Sequence, residues 1–251
     1  MKILILLIIF ISNFVLARDL GQTEITTDEG IEVFQNEKYY LLKKNVSILS
    51  DDFELKADLV KAYFDKDLYD IINIESEGSV FLKSSKGIIA KGQKVNFSTK
   101  EESILILGKK SSLVFNDIFM FSENFIFVNN LTGKFKLEGK GSELKTNDIQ
   151  ISGSLIDGNY ITANKINEVE MIYVEDSNQA NIKTNKINMF AIKANYSKKE
   201  NIIELFDNVK IIRDNEIITG DYANIDTLNE SYKVTTNKSK KVKVLINKID
   251  E

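Results

Sequence analysis

An eight-residue pattern, apolar-x-small-polar-x-apolar-x-apolar, recurs along the chain and limits its fold more than any other feature. Clear copies begin at Leu55, Met120, Leu144, Ile182 and Ile218, and looser ones at Ala90 and Ile161. Alternating apolar and polar residues indicate β-strands, and the alternation slips by one residue at each small-polar pair. Because such a slip turns all later side chains to the opposite face, we expect a bulge or corner there. The pattern predicts an all-β chain whose many short strands fold back repeatedly on one core.

The first seventeen residues have the features of a signal peptide. Met1-Lys2 gives a positive start, Ile3 to Phe14 is almost unbroken apolar sequence, and Ala17 is a small residue suited to signal peptidase. We therefore expect residues 1–17 to be removed and the rest to be exported. An uncleaved anchor is the alternative, but the apolar run is shorter than the ~20 residues that a spanning helix needs.

The remaining residues, 18–251, are expected to form one domain. All-β sandwiches and barrels of about 200–250 residues commonly remain undivided, and no proline- or serine-rich linker interrupts the sequence. The glycines at 133, 139 and 141 suggest an alternative, two consecutive halves at about 24–135 and 136–246. Because the chain has no cysteine, core burial rather than disulfides must hold this exported domain together.

The residue types present exclude most catalytic and metal chemistry. Without histidine or cysteine there is no imidazole base, no thiolate nucleophile and no ordinary zinc or iron site. A carboxylate-only mechanism remains open, but the crowded pairs Asp51-Asp52 and Glu101-Glu102 fall where the strand alternation breaks and are interpreted as solvated turns. The sequence has no phosphate loop, nucleophile elbow or calcium loop. We therefore predict a protein that is not an enzyme and has no cofactor or metal.

The charge balance argues against a nucleic acid partner. The chain has a formal net charge of −4, and its lysines are scattered rather than gathered into one face. The basic cluster from Lys238 to Lys243 is interpreted as a soluble edge that blunts strand pairing. An anion site is the alternative interpretation of this cluster.

Two parts of the sequence carry a family resemblance. They are Asn45-Val46-x-Ile48 with Leu55-Lys56-Ala57-Asp58 and Tyr63, and Asn208 to Ile211 with Ile218 to Asp226 and Lys240 to Ile246. The first part resembles the opening repeat, and the second the closing repeat, of the OstA-like, LptA-type periplasmic proteins. These proteins carry lipopolysaccharide between the two membranes of Gram-negative bacteria. The resemblance leaves open whether this chain is a soluble bridge protein or a membrane-anchored LptC-type relative.

The resemblance implies an open, twisted β-jellyroll, in which two antiparallel sheets fold like a taco shell around an apolar groove. Acyl chains need such shelter, because a chain of about a dozen carbons is disfavoured in water by roughly 10 kcal/mol, at about 0.8 kcal/mol per methylene. Inward positions of the strands are the candidates for the groove lining: Ile48, Leu55, Val60, Val95, Ile104, Phe125, Ile149, Ile187, Leu205, Ile211 and Ile225. The alternative role of each is ordinary sandwich core.

The resemblance also implies a function and partners. The chain would be a periplasmic, lipopolysaccharide-binding bridge between an inner-membrane LptC-type component and an outer-membrane LptD-type translocon. Edge strands, expected within Ile31 to Leu42 and Tyr232 to Ile246, would join these partners or link copies of the chain head to tail. Energy for transport would come from an ATP-driven partner, because this sequence has no nucleotide site.

Two other classes of function remain open on the sequence. A structural or adhesive exported β protein would share the signal, the strand pattern and the missing catalytic residues, and a solidly packed interior would favour it. A carbohydrate-active enzyme would require two carboxylates that face each other across a cleft.

Overall fold

The chain is β-structure throughout the residues that the computed structural model describes. These are residues 20–66, 70–85, 87–163, 166–236 and 241–246. All regular elements within them are strands, so the predicted all-β class is confirmed. The described ranges contain no helix long and apolar enough to cross a membrane. The predicted signal peptide lies outside the described residues.

The strands form a single 18-stranded sheet. Their bounds are β1 Glu24–Thr26, β2 Ile31–Phe34, β3 Tyr39–Leu49, β4 Phe53–Phe64, β5 Ile71–Ser84, β6 Ile88–Ser98, β7 Ser103–Leu107, β8 Ser111–Phe115, β9 Ile118–Ser122, β10 Phe125–Asn129, β11 Lys134–Lys145, β12 Ile149–Ala163, β13 Ile166–Thr184, β14 Asn188–Ser197, β15 Ile202–Arg213, β16 Glu216–Asp226, β17 Ser231–Thr235 and β18 Lys243–Ile246. Consecutive long strands pair antiparallel, as hairpins require.

Many strands are longer than the sequence pattern predicts, because they continue through a bend. Strand β12 spans 15 residues and β13 spans 19. The ladder register shifts in the middle of the long strands, for example between Lys56 and Leu59 in β4 and between Phe206 and Val209 in β15. The predicted bulges are therefore confirmed. The strand predicted over Phe53 to Phe64 is confirmed as β4. The prediction of short strands is wrong for β12 and β13, since a bulge bends a strand without ending its pairing.

The bends divide the sheet into two facing layers. The first layer contains β2, β7, β10, β17 and one half of each long strand, and the second contains β1, β8, β9, β18 and the other halves. Between β6 and β11, separate short strands continue the two layers, β7 with β10 in the first and β8 with β9 in the second. Strand pairing is therefore continuous from β3 to β16, in the predicted β-jellyroll.

The bends and the hairpin turns lie on opposite sides of the molecule. We call the row of bends the spine, and the two rows of hairpin turns the rims. The first rim joins strands of the first layer and includes the turns at 198–201 and 227–230. The second rim joins strands of the second layer and includes the turns at 146–148 and 185–187.

Apolar side chains of both layers alternate into one core between them. In β8 and β9, for example, Leu113 and Met120 are buried while Val114 and Phe119 are only half-buried on the outer face. Residues from β3 to β16 contribute to this single cluster. Apart from glycine, the buried polar residues within the described ranges are four serines: Ser76, Ser111, Ser122 and Ser142. The interior is thus apolar and uncharged along the described sheet.

The sheet has a different set of strands at each end. The described ladder registers join β1 and β2 to β3 alone, and β17 and β18 to β16 alone. Within the described residues, no register joins the first pair to the second. Each end of the jellyroll therefore presents strand edges, as an open sheet must.

Candidate functional site

Ten of the eleven predicted groove residues lie in the interior. The first layer supplies Val60, Val95, Ile104, Leu205 and Ile225, and the second supplies Ile48, Leu55, Ile149, Ile187 and Ile211. All ten are buried, and both layers contribute equally. The structure therefore brings these residues to one apolar interface, and their contact with lipid stays a prediction.

The inward position predicted for Phe125 is wrong. Strand β10 alternates so that Ile126 and Val128 are buried, whereas Phe125 is half-buried on the outer face. Its ring centroid lies 5.7 Å from the Lys136 Nζ, a cation–π contact on the outside of the first layer. Ile126, which is fully buried, takes the inward place.

The interior is more tightly closed than the predicted groove. Val60, Leu205, Ile211 and Ile225 have no solvent-exposed surface. All four belong to the single cluster of buried core residues, so no solvent-open trough reaches them. At these positions the structure thus differs from the open groove that the resemblance implies.

One cleft does open between the two rims, near the C-terminal end of the sheet. It has a volume of about 300 Å³, and we call it the rim cleft. Three predicted groove residues line it, Ile149 and Ile187 from the second layer and Ile225 from the first. At this cleft the apolar interior therefore approaches solvent.

Sequence reasoning missed three other residues that line the rim cleft, Met189, Ile203 and Tyr196. Met189 and Ile203 are inward positions of β14 and β15, and the alternation pattern contains the signal for both. Tyr196 packs against the core from a partly buried position. Burial raises the pKa of its phenol, and the charge of Asp148 across the cleft adds to this rise.

A small ion-pair cluster connects the rims beside the cleft. The Lys186 ammonium in the second rim pairs with the Glu230 carboxylate in the first. Arg213 donates from Nη1 to the Glu230 carbonyl oxygen at 3.0 Å and from Nη2 to its carboxylate at 3.3 Å. The hydrogen bond and charge of Lys186, with a smaller contribution from Arg213, hold the pKa of Glu230 below its usual value.

Two further contacts hold the layers together along the rims. The Tyr232 hydroxyl of β17 donates to the Glu216 carboxylate of β16 at 3.0 Å. Farther toward the middle of the sheet, the rings of Phe115 and Tyr160 lie 5.1 Å apart, one from each layer. Within the first layer, the Tyr160 hydroxyl also donates to Asn130 Oδ1 at 2.7 Å, and burial raises the pKa of this phenol to about 12. The rims are therefore closed by polar contacts at the surface and by apolar packing beneath.

The described residues offer no assembled metal site. Within them, no group of three or more histidine, cysteine, aspartate or glutamate side chains is placed to hold a metal ion. Asp51-Asp52 and Glu101-Glu102 lie in exposed turns, so their interpretation as solvated turns is confirmed. Neither pair lines the rim cleft.

The predicted edge segments are only partly at an edge. Ile31–Phe34 forms the edge strand β2, but residues 39–42 of β3 pair with both β2 and β4, so the edge prediction is wrong there. Sequence reasoning missed the short edge strand β1. In the C-terminal segment, β17 and β18 both lie at the edge, as predicted. Part of the basic cluster, residues 238–240, lies outside the described residues.

Comparison with known proteins finds a distant likeness in structure alone. No protein-family model and no curated protein matches this chain. Among solved structures, the chain is similar to LptH, the LptA homologous periplasmic component of the conserved lipopolysaccharide transport device from Pseudomonas aeruginosa. The similarity covers 53% of this chain and 96% of LptH, with 12% sequence identity and a TM-score of 0.45. At these values the likeness carries no inference about function, so the candidate site is defined by its own geometry.

Proposed function

We propose that this chain is a periplasmic carrier of lipopolysaccharide, which shields the lipid's acyl chains between the two layers on the way from the inner to the outer membrane. The observation that carries this proposal is the rim cleft, where Ile149, Ile187 and Ile225 lead from solvent into an uncharged apolar interior. An acyl chain needs an apolar surface that extends beyond one pocket, and the buried cluster runs from β3 to β16.

The proposal requires the rims to separate at the rim cleft, because the interior is filled. The pairs that Lys186 and Arg213 form with Glu230 resist this only slightly, since exposed ion pairs are worth about 0–1 kcal/mol. Exposing the apolar floor costs more, about 25 cal/mol per Å². An inserted acyl chain covers that floor again and removes its own surface from water, so lipid binding favours the opened state.

The strand edges supply the proposed contacts with partners. The exposed apolar residues Ile31 and Val33 lie on β2, and Val244 and Ile246 lie on β18 at the other end. Unpaired backbone groups next to such residues can extend the sheet into another protein. We assign these edges to an inner-membrane LptC-type component, an outer-membrane LptD-type translocon, or a second copy joined head to tail.

A structural or adhesive exported β protein is the second candidate function. The specific observation in its favour is the closed interior, in which residues such as Val60 and Ile211 have no exposed surface. A protein of this class needs no lipid, and its function does not require the rims to separate.

Photo-crosslinking distinguishes the two functions. The photoreactive residue p-benzoylphenylalanine replaces Tyr196, which lines the rim cleft, or Tyr173, a half-buried tyrosine on the outer face of the first layer. Both replacements exchange one aromatic ring for a larger one, so Tyr173 is a matched control. In cells that make radiolabelled lipopolysaccharide, we expect a labelled adduct from position 196. Labelling from 196 no stronger than that from 173 would reject the carrier function and favour the structural one.

A further inference from the structure

The outer side of the spine carries a basic cleft that is separate from the interior and the rims. It has a volume of about 360 Å³, and we call it the spine cleft. Three lysines line it, Lys91, Lys109 and Lys110, together with the ring of Phe81 and the amide side chain of Gln93. No carboxylate is among the described residues that line it. The cleft is therefore positive, although the whole chain has a net charge of −4.

The fold fixes the places of these lysines. Lys91 pairs directly with Phe81 across the β5–β6 ladder, and its Nζ lies 5.8 Å from the ring centroid. Lys109 and Lys110 lie in the connection between β7 and β8. That connection is held at its start, because the Gly108 N–H donates to the Asn124 carbonyl oxygen at 2.7 Å and the Gly108 carbonyl accepts from Ser111 Oγ at 2.7 Å.

The three ammonium groups have no carboxylate partner within 4.0 Å among the described residues. Acidic residues in the neighbouring bends of the spine include Glu77, Asp58 and Glu123. Glu77 is already paired with Lys94 at 2.8 Å, Asp58 lies against Gly78 in the neighbouring bend, and Glu123 lies in the next turn along the spine. Like charges gathered around one concavity repel each other, and a bound anion relieves that repulsion.

We propose that the spine cleft binds a phosphate group, carried either by a soluble molecule or by the headgroup of an anionic lipid. Lysine ammonium groups bind phosphate as strong point charges with hydrogen bonds, and the cleft falls within the about 300–1,000 Å³ of small-molecule sites. The ring of Phe81 offers an apolar floor for the group that bears the phosphate. Because the cleft lies on the opposite side from the rims, this proposal is independent of the carrier function.

The test uses the full chain with inorganic phosphate and with vesicles. Phosphate is titrated while the backbone amide resonances of Gly92 and Gln93, which line the cleft, are followed by NMR. The variant carries Lys91→Gln, Lys109→Gln and Lys110→Gln. A matched control carries Lys134→Gln, Lys145→Gln and Lys183→Gln, which change the same charge at exposed positions elsewhere on the sheet. Cosedimentation with phosphatidylglycerol vesicles, compared with pure phosphatidylcholine vesicles, tests the lipid source.

We expect phosphate to shift both resonances in the natural chain and in the control, with an affinity at least ~10-fold weaker in the cleft variant. Added salt should weaken binding, because the cleft is open to solvent. Cosedimentation that requires the three cleft lysines would assign the phosphate to a lipid headgroup, and its absence would assign it to a soluble molecule. The proposal is overturned if neither phosphate nor vesicles respond to the cleft lysines, or if the cleft variant and the control respond alike.

Discussion

Phe125 and Ile126 show how one residue at a corner exchanges the inner and outer faces of a strand. In β4 the buried Ala57 is followed, three positions later, by the buried Val60. Between β9 and β10 the buried Ser122 is followed by Ile126, four positions later. Side chains alternate with a period of two, so this one extra residue turns Phe125 outward. The eight-residue pattern contains no signal for the length of the corner.

This difference predicts unequal costs for two neighbouring substitutions. Ile126→Ala removes a fully buried side chain and should lower the free energy of unfolding by about 2–5 kcal/mol. Phe125→Ala removes a half-buried ring on the outer face and should cost about 1 kcal/mol. Urea denaturation of the two variants measures both values. A larger loss for Phe125→Ala would show that β10 presents the opposite face to the core.

The turns of the second rim show how the recurring eight-residue pattern produces a hairpin turn. In the copy that begins at Ile182, Thr184 occupies the small position, and its Oγ1 accepts hydrogen bonds from the N–H groups of Lys186 at 3.3 Å and Ile187 at 3.2 Å. Thr146 makes the equivalent bonds in its own copy. A hydroxyl that accepts backbone N–H groups stabilises a chain reversal in competition with the strand ladder.

Two clear copies, with alanine or glycine at the small position, have another outcome, a bend within a continuing strand. Ala57 lies at the bend of β4 and Gly220 at the bend of β16. A Cβ atom on Gly220 would lie 2.5 Å from Val234 Cγ1 and 2.8 Å from the Thr235 carbonyl oxygen. The small residue is therefore needed where a neighbouring strand comes close. Because alanine and glycine have no hydroxyl to accept backbone N–H groups, these groups remain available for strand pairing.

Substitution of Thr184 tests the role of the hydroxyl. Thr184→Ala should lower the free energy of unfolding by about 1 kcal/mol, because two backbone N–H groups lose their acceptor. Thr184→Ser keeps the hydroxyl and should retain most of the stability. Thermal unfolding of the two variants provides the comparison. Equal stability of the alanine and serine variants would contradict the hydrogen-bonding role.

Apart from the covalent connections along the spine, contacts across the rims and the packed interior hold the two layers together. The spine connects them covalently at every bend, whereas the rims are joined by side-chain contacts such as those of Glu230 with Lys186 and Arg213. If the spine acts as a hinge and the rims move apart, the backbone hydrogen bonds between neighbouring strands of each layer are therefore kept. The proposed carrier function depends on this asymmetry.

Locking the rims tests whether opening is needed. The chain has no cysteine, so Lys186→Cys with Glu230→Cys allows a short thiol-reactive crosslinker to join the two rims specifically. We expect the crosslinked protein to lose lipopolysaccharide uptake, because the rim cleft cannot widen. The control is Lys136→Cys with Glu138→Cys, an exposed ion pair whose two residues both lie on the outer face of β11. Crosslinking this pair should leave uptake intact. Uptake that is unaffected by linked rims would rule out entry through this cleft.

The strand class, the apolar character of the inward positions and ten of the eleven interior candidates could be predicted from the order of residues alone. Each follows from local alternation, because a period of two places every second residue on the same face. The sequence also located the solvated carboxylate turns, since Asp51-Asp52 and Glu101-Glu102 interrupt that alternation.

Three features required the three-dimensional structure: which bends continue a strand, which face Phe125 occupies, and how tightly the layers close. The length of each corner depends on how closely neighbouring strands approach, as at Gly220, and that distance is set by residues far away in the chain. Likewise, Ile149 and Ile225 meet at the rim cleft, and Lys91 and Lys109 meet at the spine cleft. Each pair comes together through packing between segments that are distant in the sequence, which no local pattern encodes. Alternation fixes which side of a strand is apolar, whereas contact between the two layers fixes how much room remains between them.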